Sequence, residues 1–430
     1  MRASSEARIY ALGVILCATL IICSRNFGDR GGPRFIASLA VSCIAYLFAI
    51  REFLAKPKFP RRLLVVALLL AAAWQVAFLR VTSGADDDIH RYVWDGRLQR
   101  LGLNPYIVIP SDPAVKQLHT PETRTLNNPD LPSPYPPGAQ LFFRAITAIR
   151  ESTFAMKIAF VICDWLIVLV LVDLLRLNQQ GAHLVLAYAW NPLLAVEVAG
   201  SGHVDIVGAL LLVVSIAALA RRWRATAAVA LALAVSVKFL PIVLVPLYWR
   251  RVRIRDAGLG AAVLGLLYVP FLYHGHIPTG SLATYVQTFR FNGPIFAPLA
   301  RIAPPALPAG LAVLAGLVTA MWLQNKMQKW TPNVFAWPMA ASLLCAPAVF
   351  PWYLLWLLPF LTSSSTFLLV VWSVSIIPVY VQWHLRTLGH PWGALPGWVM
   401  VIEYGCVAIA GVIITIRKLA HAAKFERQMD

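Results

Sequence analysis

The chain has 430 residues, of which 59% are hydrophobic and only 13% are charged. That apolar share is larger than the core of a soluble protein can bury, so a soluble globular fold is excluded and the lipid bilayer is the expected solvent. The net charge of +18 would suggest nucleic-acid binding in a soluble protein. In a membrane protein, basic loops on the cytoplasmic side explain it better, and we expect no nucleic-acid partner.

Continuous apolar runs predict an all-α, polytopic transmembrane helical bundle rather than a β-barrel. We expect one integral membrane domain, residues 1–430, because no internal repeat is visible. The six cysteines lie in apolar runs without metal-ligand spacing and are expected to be small buried side chains. The runs place about twelve spans, at 9–24, 35–50, 63–79, 154–175, 183–199, 203–220, 257–273, 306–322, 332–349, 352–362, 366–382 and 396–416.

The basic residues predict how the bundle is oriented. With both termini in the cytoplasm, most Lys and Arg of the short loops lie inside, and the long polar segment 80–153 lies outside. The absence of an Asn-x-Ser/Thr sequon favours a bacterial source, and hence the bacterial inner membrane. Within the outer segment, residues 138–150 predict an amphipathic helix at the outer interface. Its apolar face would comprise Leu141, Phe142, Ala145 and Ile149.

Segment 225–249 is apolar but has basic clusters at both ends, at 221–224 and 250–255. One crossing would leave one cluster outside, so we predict a re-entrant hairpin that turns near Lys238. Burying a lysine at that depth in the membrane costs free energy, so Lys238 should have a partner, and a lipid phosphate is one candidate. An ion pair with Asp164 or Asp173 explains Lys238 at least as well.

Three adjacent carboxylates, Asp86, Asp87 and Asp88, follow the third predicted span. Their mutual repulsion beside a low-dielectric boundary favours proton uptake by one of them. The cluster therefore predicts a general base, or an Asp87–Asp88 pair that holds a divalent cation such as Mg²⁺ or Mn²⁺. A solvated helix N-terminus is the alternative, but it does not explain the further ionisable side chains nearby, which are His90, Arg91 and Asp95.

A second polar cluster lies where two predicted spans meet at a glycine turn on the outer side. Glu197, His203 and Asp205 flank this turn and should approach the aspartates. Capping by Asp205 and a helix–helix pair at Glu197 are equally good explanations. The outer loops also offer cations that could bind a phosphate or act as interfacial anchors, namely Arg290, His384 and Arg386.

Taken together, these segments resemble the GT-C superfamily, and specifically the polyprenyl-phosphate-mannose-dependent mannosyltransferases. The resemblance covers roughly residues 80–410 and is specific at 87–106. It implies Asp88 as the essential acidic residue, with Asp87 next. His90 stands where relatives more often have tyrosine, so that position's role is not carried over. The segments are DDIHRYVWDG at 87–96, Asn104-Pro-Tyr106, Tyr135-Pro-Pro137, Trp190-Asn-Pro, Gly202-His-Val-Asp205 and Lys238-Phe-Leu-Pro241.

The resemblance implies an inverting glycosyltransferase that moves mannose from a polyprenyl-phosphate donor to a glycolipid or cell-envelope glycan at the outer membrane face. A lipid-linked donor fits the sequence, since the chain has no α/β stretch that would hold a nucleotide. Asp88 would be the base, and cations would receive the departing phosphate, from among Arg290, His203, His384 and Arg386.

Two other functions are compatible with a polytopic chain. One is a transporter or flippase of a lipid-linked sugar, and the other is a binding protein without catalysis. The transporter would use intramembrane charges as a relay and would be expected to carry internal repeats. A transporter would not need the long acidic outer loop. The relay residues would be Lys238, Asp164, Asp173 and Glu197.

Overall fold

The computed structural model describes residues 2–84, 87–275, 277, 279–326, 331–393 and 395–426. These residues form helices, turns and loops without a β-sheet. The all-α fold class is therefore confirmed. The helices are α1 (Arg2–Arg25), α2 (Pro33–Ala55), α3 (Arg61–Leu79), α4 (Asp88–Arg100), α5 (Pro137–Ile149), α6 (Thr153–Leu177), α7 (Leu186–Ala189), a π-helix (Leu194–Ser201), α8 (Asp205–Ala220), α9 (Arg224–Val237), α10 (Val245–Tyr248), α11 (Ile254–Tyr268), α12 (Leu282–Thr288), α13 (Phe296–Leu299), α14 (Ala306–Lys326), α15 (Ala336–Leu344), α16 (Phe367–Ser375), α17 (Val381–Thr387) and α18 (Gly397–Glu426).

Within the described ranges, eight helical segments are long and apolar enough to cross a membrane. Ala182–Ala189 and Leu194–Ser201 would form a ninth span, bent by 61°, if counted together. The predicted number of about twelve spans is not confirmed. The eight segments are Ser5–Arg25, Pro33–Ala55, Arg61–Leu79, Thr153–Leu177, Ile254–Phe271, Ala306–Lys326, Ser364–Thr387 and Gly397–Ala420.

The remaining predicted spans are short or broken. Helix α8 has 16 residues and α15 has nine. At about 1.5 Å per residue both fall short of a hydrocarbon core of about 30 Å. The predicted span 352–362 consists of two 3-10 turns, each with a proline in its first turn. Proline lacks the N–H that a continuing α-helix requires, so segment 352–362 is not one continuous α-helix.

Segment 224–248 reverses direction at Lys238. Helix α9 ends at Val237, Lys238 is extended (φ −159°, ψ 143°), and a 3-10 turn with α10 leads the chain back. The Tyr248 hydroxyl lies 2.7 Å from the Ser215 hydroxyl, which donates to the carbonyl of Ala227 in the first turn of α9. The two arms of this hairpin therefore end at the same level. Its re-entrant position in a bilayer stays a prediction.

Segment 332–362 makes a second reversal. The rings of Phe335 and Phe360 are 6.4 Å apart, and Thr362 donates to the Asn333 side-chain oxygen, so the two arms of this segment also lie side by side. Helix α15 packs against the 3-10 turn that follows Lys238. The two reversals consequently meet at one end of the bundle.

The outer segment packs on that same end. Helix α4 lies against α5, with the rings of Tyr92 and Phe143 stacked at 4.4 Å. The predicted amphipathic helix is observed as α5, whose Ala139, Gln140, Phe143 and Thr147 are buried. Ile149, on the face predicted to be apolar, is 83% exposed. The predicted apolar face is therefore partly exposed on the bundle, and its position at the membrane interface stays a prediction.

All six cysteines are free thiols, but they are not uniformly buried. Cys23, Cys43 and Cys163 are buried, Cys17 and Cys345 are partly buried, and Cys406 is exposed on α18. Only 11% of the apolar part of α18 is buried within the chain, so this helix has few neighbours there. The prediction of a buried side chain is therefore wrong for Cys406.

Candidate functional site

A cavity of about 510 Å³ lies where the outer segment meets both reversals. One wall is polar and comes largely from the outer segment, including Asp88, Asn127, Asn128 and Tyr135. The opposite side is apolar and belongs to the turn after Lys238 and to α14 and α15. Its lining residues are Phe239, Leu240, Ile242, Val243, Ala309, Ala312, Val313 and Leu343.

The neighbouring carboxylates of Asp87 and Asp88 have different environments. The Asp87 side chain is only 3% exposed, forms an ion pair with Arg30 and accepts from the Gly84 N–H at 2.6 Å. The Asp88 side chain is 21% exposed at the start of α4 and accepts from the side chain of Asn127. Asp88 thus presents a carboxylate to the cavity, whereas both Asp87 oxygens are already engaged.

The hydroxyl of Tyr135 also contacts Asp88. Burial, followed by the negative charge of Asp88, raises the pKa of Tyr135 well above its ordinary value. The phenol therefore remains protonated beside the carboxylate.

Asp86 lies outside the described residues. Among the residues that the structure does describe, no group of three His, Cys, Asp or Glu side chains is placed to hold a metal ion. Asp87 pairs with Arg30, so a positive charge already lies beside this carboxylate. A divalent cation at Asp87 and Asp88 stays a prediction, to be tested with a chelator.

Arg91, Asp95 and His90 organise the outer segment. Asp95 is fully buried and accepts from Arg91 at 3.1 Å, from Gln140 at 2.9 Å and from Ser133. Burial raises the pKa of Asp95, and the positive charge of Arg91 and these hydrogen bonds oppose the rise. The ring nitrogens of His90 contact the carbonyls of Glu122 and Gly84. Arg91 lines the cavity, whereas His90 and Asp95 do not.

The π-helix brings Glu197 and His203 together. The Glu197 carbonyl accepts from the N–H groups of Gly202 and His203, at 3.1 and 3.0 Å, and Gly202 adopts a left-handed conformation with φ of 78°. This tight ending places His203 Nε2 at 3.0 Å from Glu197 Oε2 and Nδ1 at 3.9 Å from Asp88 Oδ2. Single π-helical turns often occur at functional sites because they redirect side chains in this way.

Lys238 pairs with Asp205, not with Asp164 or Asp173. Its ammonium lies 2.8 Å from Asp205 Oδ1 and 3.8 Å from the centre of the Tyr353 ring. Asp205 is 1% exposed and also accepts from the Trp356 indole at 2.7 Å, whereas the Lys238 side chain remains 25% exposed in the cavity. Asp164 instead binds Gln75 and Tyr188, and Asp173 pairs with Arg221.

Of the three outer-loop cations, only Arg386 is among the residues that line the cavity. Arg386 lies over the ring of Trp392 at 5.8 Å. Arg290 folds back onto the last carbonyls of α12 and over the ring of Phe296. His384 pairs with Asp29 at 2.7 Å. Arg290 and His384 therefore hold loops together outside the cavity.

The sequence analysis did not single out several residues of the site. Arg30 lies in a loop between two spans, and its pairing with Asp87 is long-range, so no local pattern reveals it. Trp352 stacks on His203 at 4.0 Å. Tyr285 and Tyr353 join their hydroxyls at 2.5 Å beside Lys238. These contacts join distant parts of the chain, so no local sequence pattern predicts them.

Comparison with curated proteins and with solved structures gives no match. The family described as MptA_B, alpha-(1->6)-mannopyranosyltransferase, N-terminal domain, matches residues 32–252, just over half of the chain. This range includes Asp87, Asp88, Glu197, His203 and Lys238. The match confirms the resemblance to GT-C mannosyltransferases. The chain therefore belongs to the MptA_B family of alpha-(1->6)-mannopyranosyltransferases.

Proposed function

We propose that this chain is an inverting mannosyltransferase that uses a polyprenyl-phosphate mannose and extends a mannose-bearing acceptor through an α-(1→6) linkage. One observation carries the proposal. The carboxylate of Asp88 and the ammonium of Lys238 open into the same cavity, Asp88 on its polar wall and Lys238 where the apolar wall begins. Membership of the family indicates mannosyl transfer. The two walls of the cavity suggest where the donor and the acceptor bind.

The apolar wall is suited to the lipid chain of the donor. Phe239, Ile242 and Val313 line the cavity and are also 38%, 40% and 44% exposed, so the wall continues onto the outer surface of the bundle. A polyprenyl chain can lie along this surface without leaving the bilayer. Its phosphate would then reach Lys238, with Arg386 as a second cation from the opposite loop.

The polar wall is suited to the acceptor. Asn127, Asn128 and Tyr135 surround Asp88 with groups that bind hydroxyls. Asp88 would remove the proton from the acceptor hydroxyl as its oxygen attacks the anomeric carbon, and the phosphate would depart towards Lys238. A single displacement inverts the anomeric centre, so an α product requires a β-linked donor.

The proposed membrane face follows from the charge distribution. The cavity lies at the end of the bundle that carries the outer segment, opposite the basic clusters at 221–224 and 250–255. The positive-inside rule favours the cytoplasm for those clusters, which places transfer at the outer face of the membrane. Cysteine labelling of Glu151→Cys in intact cells should therefore succeed with an impermeant reagent.

No observation favours the transporter or flippase. Lys238 and Glu197 line or flank one cavity, but Asp164 and Asp173 are engaged elsewhere and do not form a relay with them. Transfer by purified protein in detergent separates an enzyme from a transporter, since movement across a membrane has no readout there.

The decisive assay supplies a mannoside acceptor with one of three donors: polyprenyl-phosphate mannose, polyprenyl-phosphate glucose or GDP-mannose. We expect transfer from polyprenyl-phosphate mannose only, and an α-(1→6) product. Transfer from GDP-mannose in preference to the lipid donor would refute the proposed donor. Parallel reactions with EDTA, followed by Mg²⁺ or Mn²⁺, test the divalent cation.

A further inference from the structure

We propose that His203 takes up the proton that Asp88 removes from the acceptor, and so acts as a positioning residue through Asp88. The proposal rests on the function above, since it requires Asp88 to be the base. The imidazole lies between two carboxylates, with Nε2 at 3.0 Å from Glu197 and Nδ1 at 3.9 Å from Asp88. A ring nitrogen that can accept a proton therefore lies beside Asp88.

Three contacts fix the ring of His203. Glu197 holds the Nε2 side, and Glu197 itself accepts a hydrogen bond from the Tyr380 hydroxyl. The ring stacks on Trp352 at 4.0 Å with an angle of 8° between the planes. Glu197 Oε2 makes no hydrogen bond among the described residues, so its 3.0 Å approach to Nε2 is a charge contact rather than a hydrogen bond. Nδ1 lies on the side of the ring that approaches Asp88.

The Nδ1 atom has no hydrogen-bond partner among the described residues, although His203 is only 3% exposed. A buried polar atom without a partner needs an explanation in a folded protein. His183 also has an unpaired Nδ1, whereas His119 has both nitrogens paired with carbonyls, so a missing partner alone does not mark a catalytic role. The Nδ1 of His203 fits a proton acceptor because it also lies 3.9 Å from Asp88, which lines the cavity.

The proposed proton transfer begins at the acceptor hydroxyl. The acceptor hydroxyl gives its proton to the Asp88 carboxylate, its oxygen forms a bond to the anomeric carbon, and the bond from that carbon to the phosphate oxygen breaks. The electron pair of the broken bond leaves with the phosphate. The proton then moves from Asp88 to Nδ1 of His203, where Glu197 stabilises the imidazolium. It passes to the departing phosphate or to water when the products leave. The 3.9 Å separation must shorten when substrate binds, as catalytic contacts commonly do.

Other charged groups surround the ring. Lys238 and Asp205 neutralise each other beside it, and Arg30 binds Asp87 and Ser201 behind it. Lys157 lies next to Gly202 and donates to the Val81 carbonyl. The net charge nearest the imidazole is therefore that of Asp88 and Glu197.

The test uses three variants of the full-length protein in detergent, assayed for mannosyl transfer from pH 5 to 9. His203→Phe keeps a ring on Trp352 but removes both nitrogens. His203→Gln provides a second variant should the first fail to fold. His119→Phe is the matched control, because His119 also stacks on a tryptophan, Trp94, at 4.1 Å but lies away from the cavity.

We expect His203→Phe and His203→Gln to lower kcat about 10–100-fold, which is part of the usual contribution of acid–base catalysis. KM for donor and acceptor should change less than about threefold. Both His203 variants should also change the shape of the kcat–pH profile, which the loss of a merely structural histidine would leave unaltered. His119→Phe should match the wild type.

An unchanged kcat and an unchanged pH profile in His203→Phe would overturn the relay. A rise in donor KM with normal kcat would also overturn it and assign His203 to phosphate binding. Asp88→Asn distinguishes a failure of the His203 relay from a failure of the proposed function. If Asp88→Asn abolishes transfer while His203→Phe does not affect it, only the relay fails. If Asp88→Asn transfers normally, the proposed function itself fails.

Discussion

Removing the charge of Asp87 should destabilise the protein far more than removing an exposed charge. Arg30 and Asp87 are 6% and 3% exposed, and they join the turn after α1 to the segment that carries Asp88. Losing one partner of a buried ion pair costs about 3–5 kcal/mol, because the other charge stays buried without compensation. Asp87→Asn keeps the shape of the side chain and the acceptor for the Gly84 N–H, so the losses are the charge and the acceptor for Arg30.

The Arg8–Glu52 pair provides the matched control. Its side chains are 59% and 16% exposed, so Glu52→Gln should cost about 0–1 kcal/mol. The double variant Arg30→Gln with Asp87→Asn should be more stable than Asp87→Asn alone, because no isolated charge remains. Recovery should be incomplete, since Arg30 also lies over the rings of Phe27 and Trp383.

Thermal unfolding in detergent, followed with a thiol-reactive dye, measures these differences. Cys23, Cys43 and Cys163 are free and buried, so they react when the bundle opens. We expect the midpoint of Asp87→Asn to fall by roughly 5 °C or more. A fall no larger than that of Glu52→Gln would refute the reasoning, as would a double variant less stable than Asp87→Asn.

Three further predictions follow from individual contacts. Lys238→Met should lower kcat/KM for the lipid donor at least about tenfold, because it removes the proposed phosphate contact and leaves Asp205 buried without its cation. Steady-state kinetics at varied donor concentration measure this loss. Lys238→Arg should recover part of it. Gly202→Ala should lower the free energy of unfolding by more than about 1 kcal/mol and should also lower kcat. The reason is that φ is 78° and the new Cβ would lie 2.6 Å from the Ile89 side chain. Thermal unfolding and transfer assays should show both effects. The pKa of Asp95 is raised in the folded state, so the folded protein binds the Asp95 proton more tightly than the unfolded chain does. Protonated Asp95 therefore stabilises the fold at low pH. This stabilisation is lost as the pH rises above 3.8 and through the folded pKa. The stability of the wild type should therefore fall relative to Asp95→Asn from pH 4 to 7, and a constant difference would contradict this.

The sequence predicted the fold class and much of the site because its signals there are strong. Long apolar runs identified α1, α2, α3 and α6 closely, since bilayer thickness fixes the length of a span. Polar residues in an apolar chain are expensive, so Asp88, His203 and Asp205 stood out by type alone. The structure brings these three to one end of the bundle.

The parts that sequence reasoning missed depend on long-range geometry. Hydropathy counts apolar residues but does not detect that 332–349 and 352–362 form two short arms of one reversal. Charge alone does not show which way a side chain points, so Arg290 and His384 were grouped with Arg386 although only Arg386 lines the cavity. Likewise, the separate environments of Asp87 and Asp88 depend on Arg30, which is distant in sequence.

The most direct test of the account is mannosyl transfer from polyprenyl-phosphate mannose by purified Asp88→Asn. Wild-type protein and Asp112→Asn, a variant of an aspartate outside the cavity, are the comparisons. We expect Asp88→Asn to lose about 10²–10⁴-fold in kcat, as for removal of a general base. Its thermal unfolding should stay near that of the wild type. Transfer by folded Asp88→Asn at the wild-type rate would contradict the central claim that Asp88 activates the acceptor.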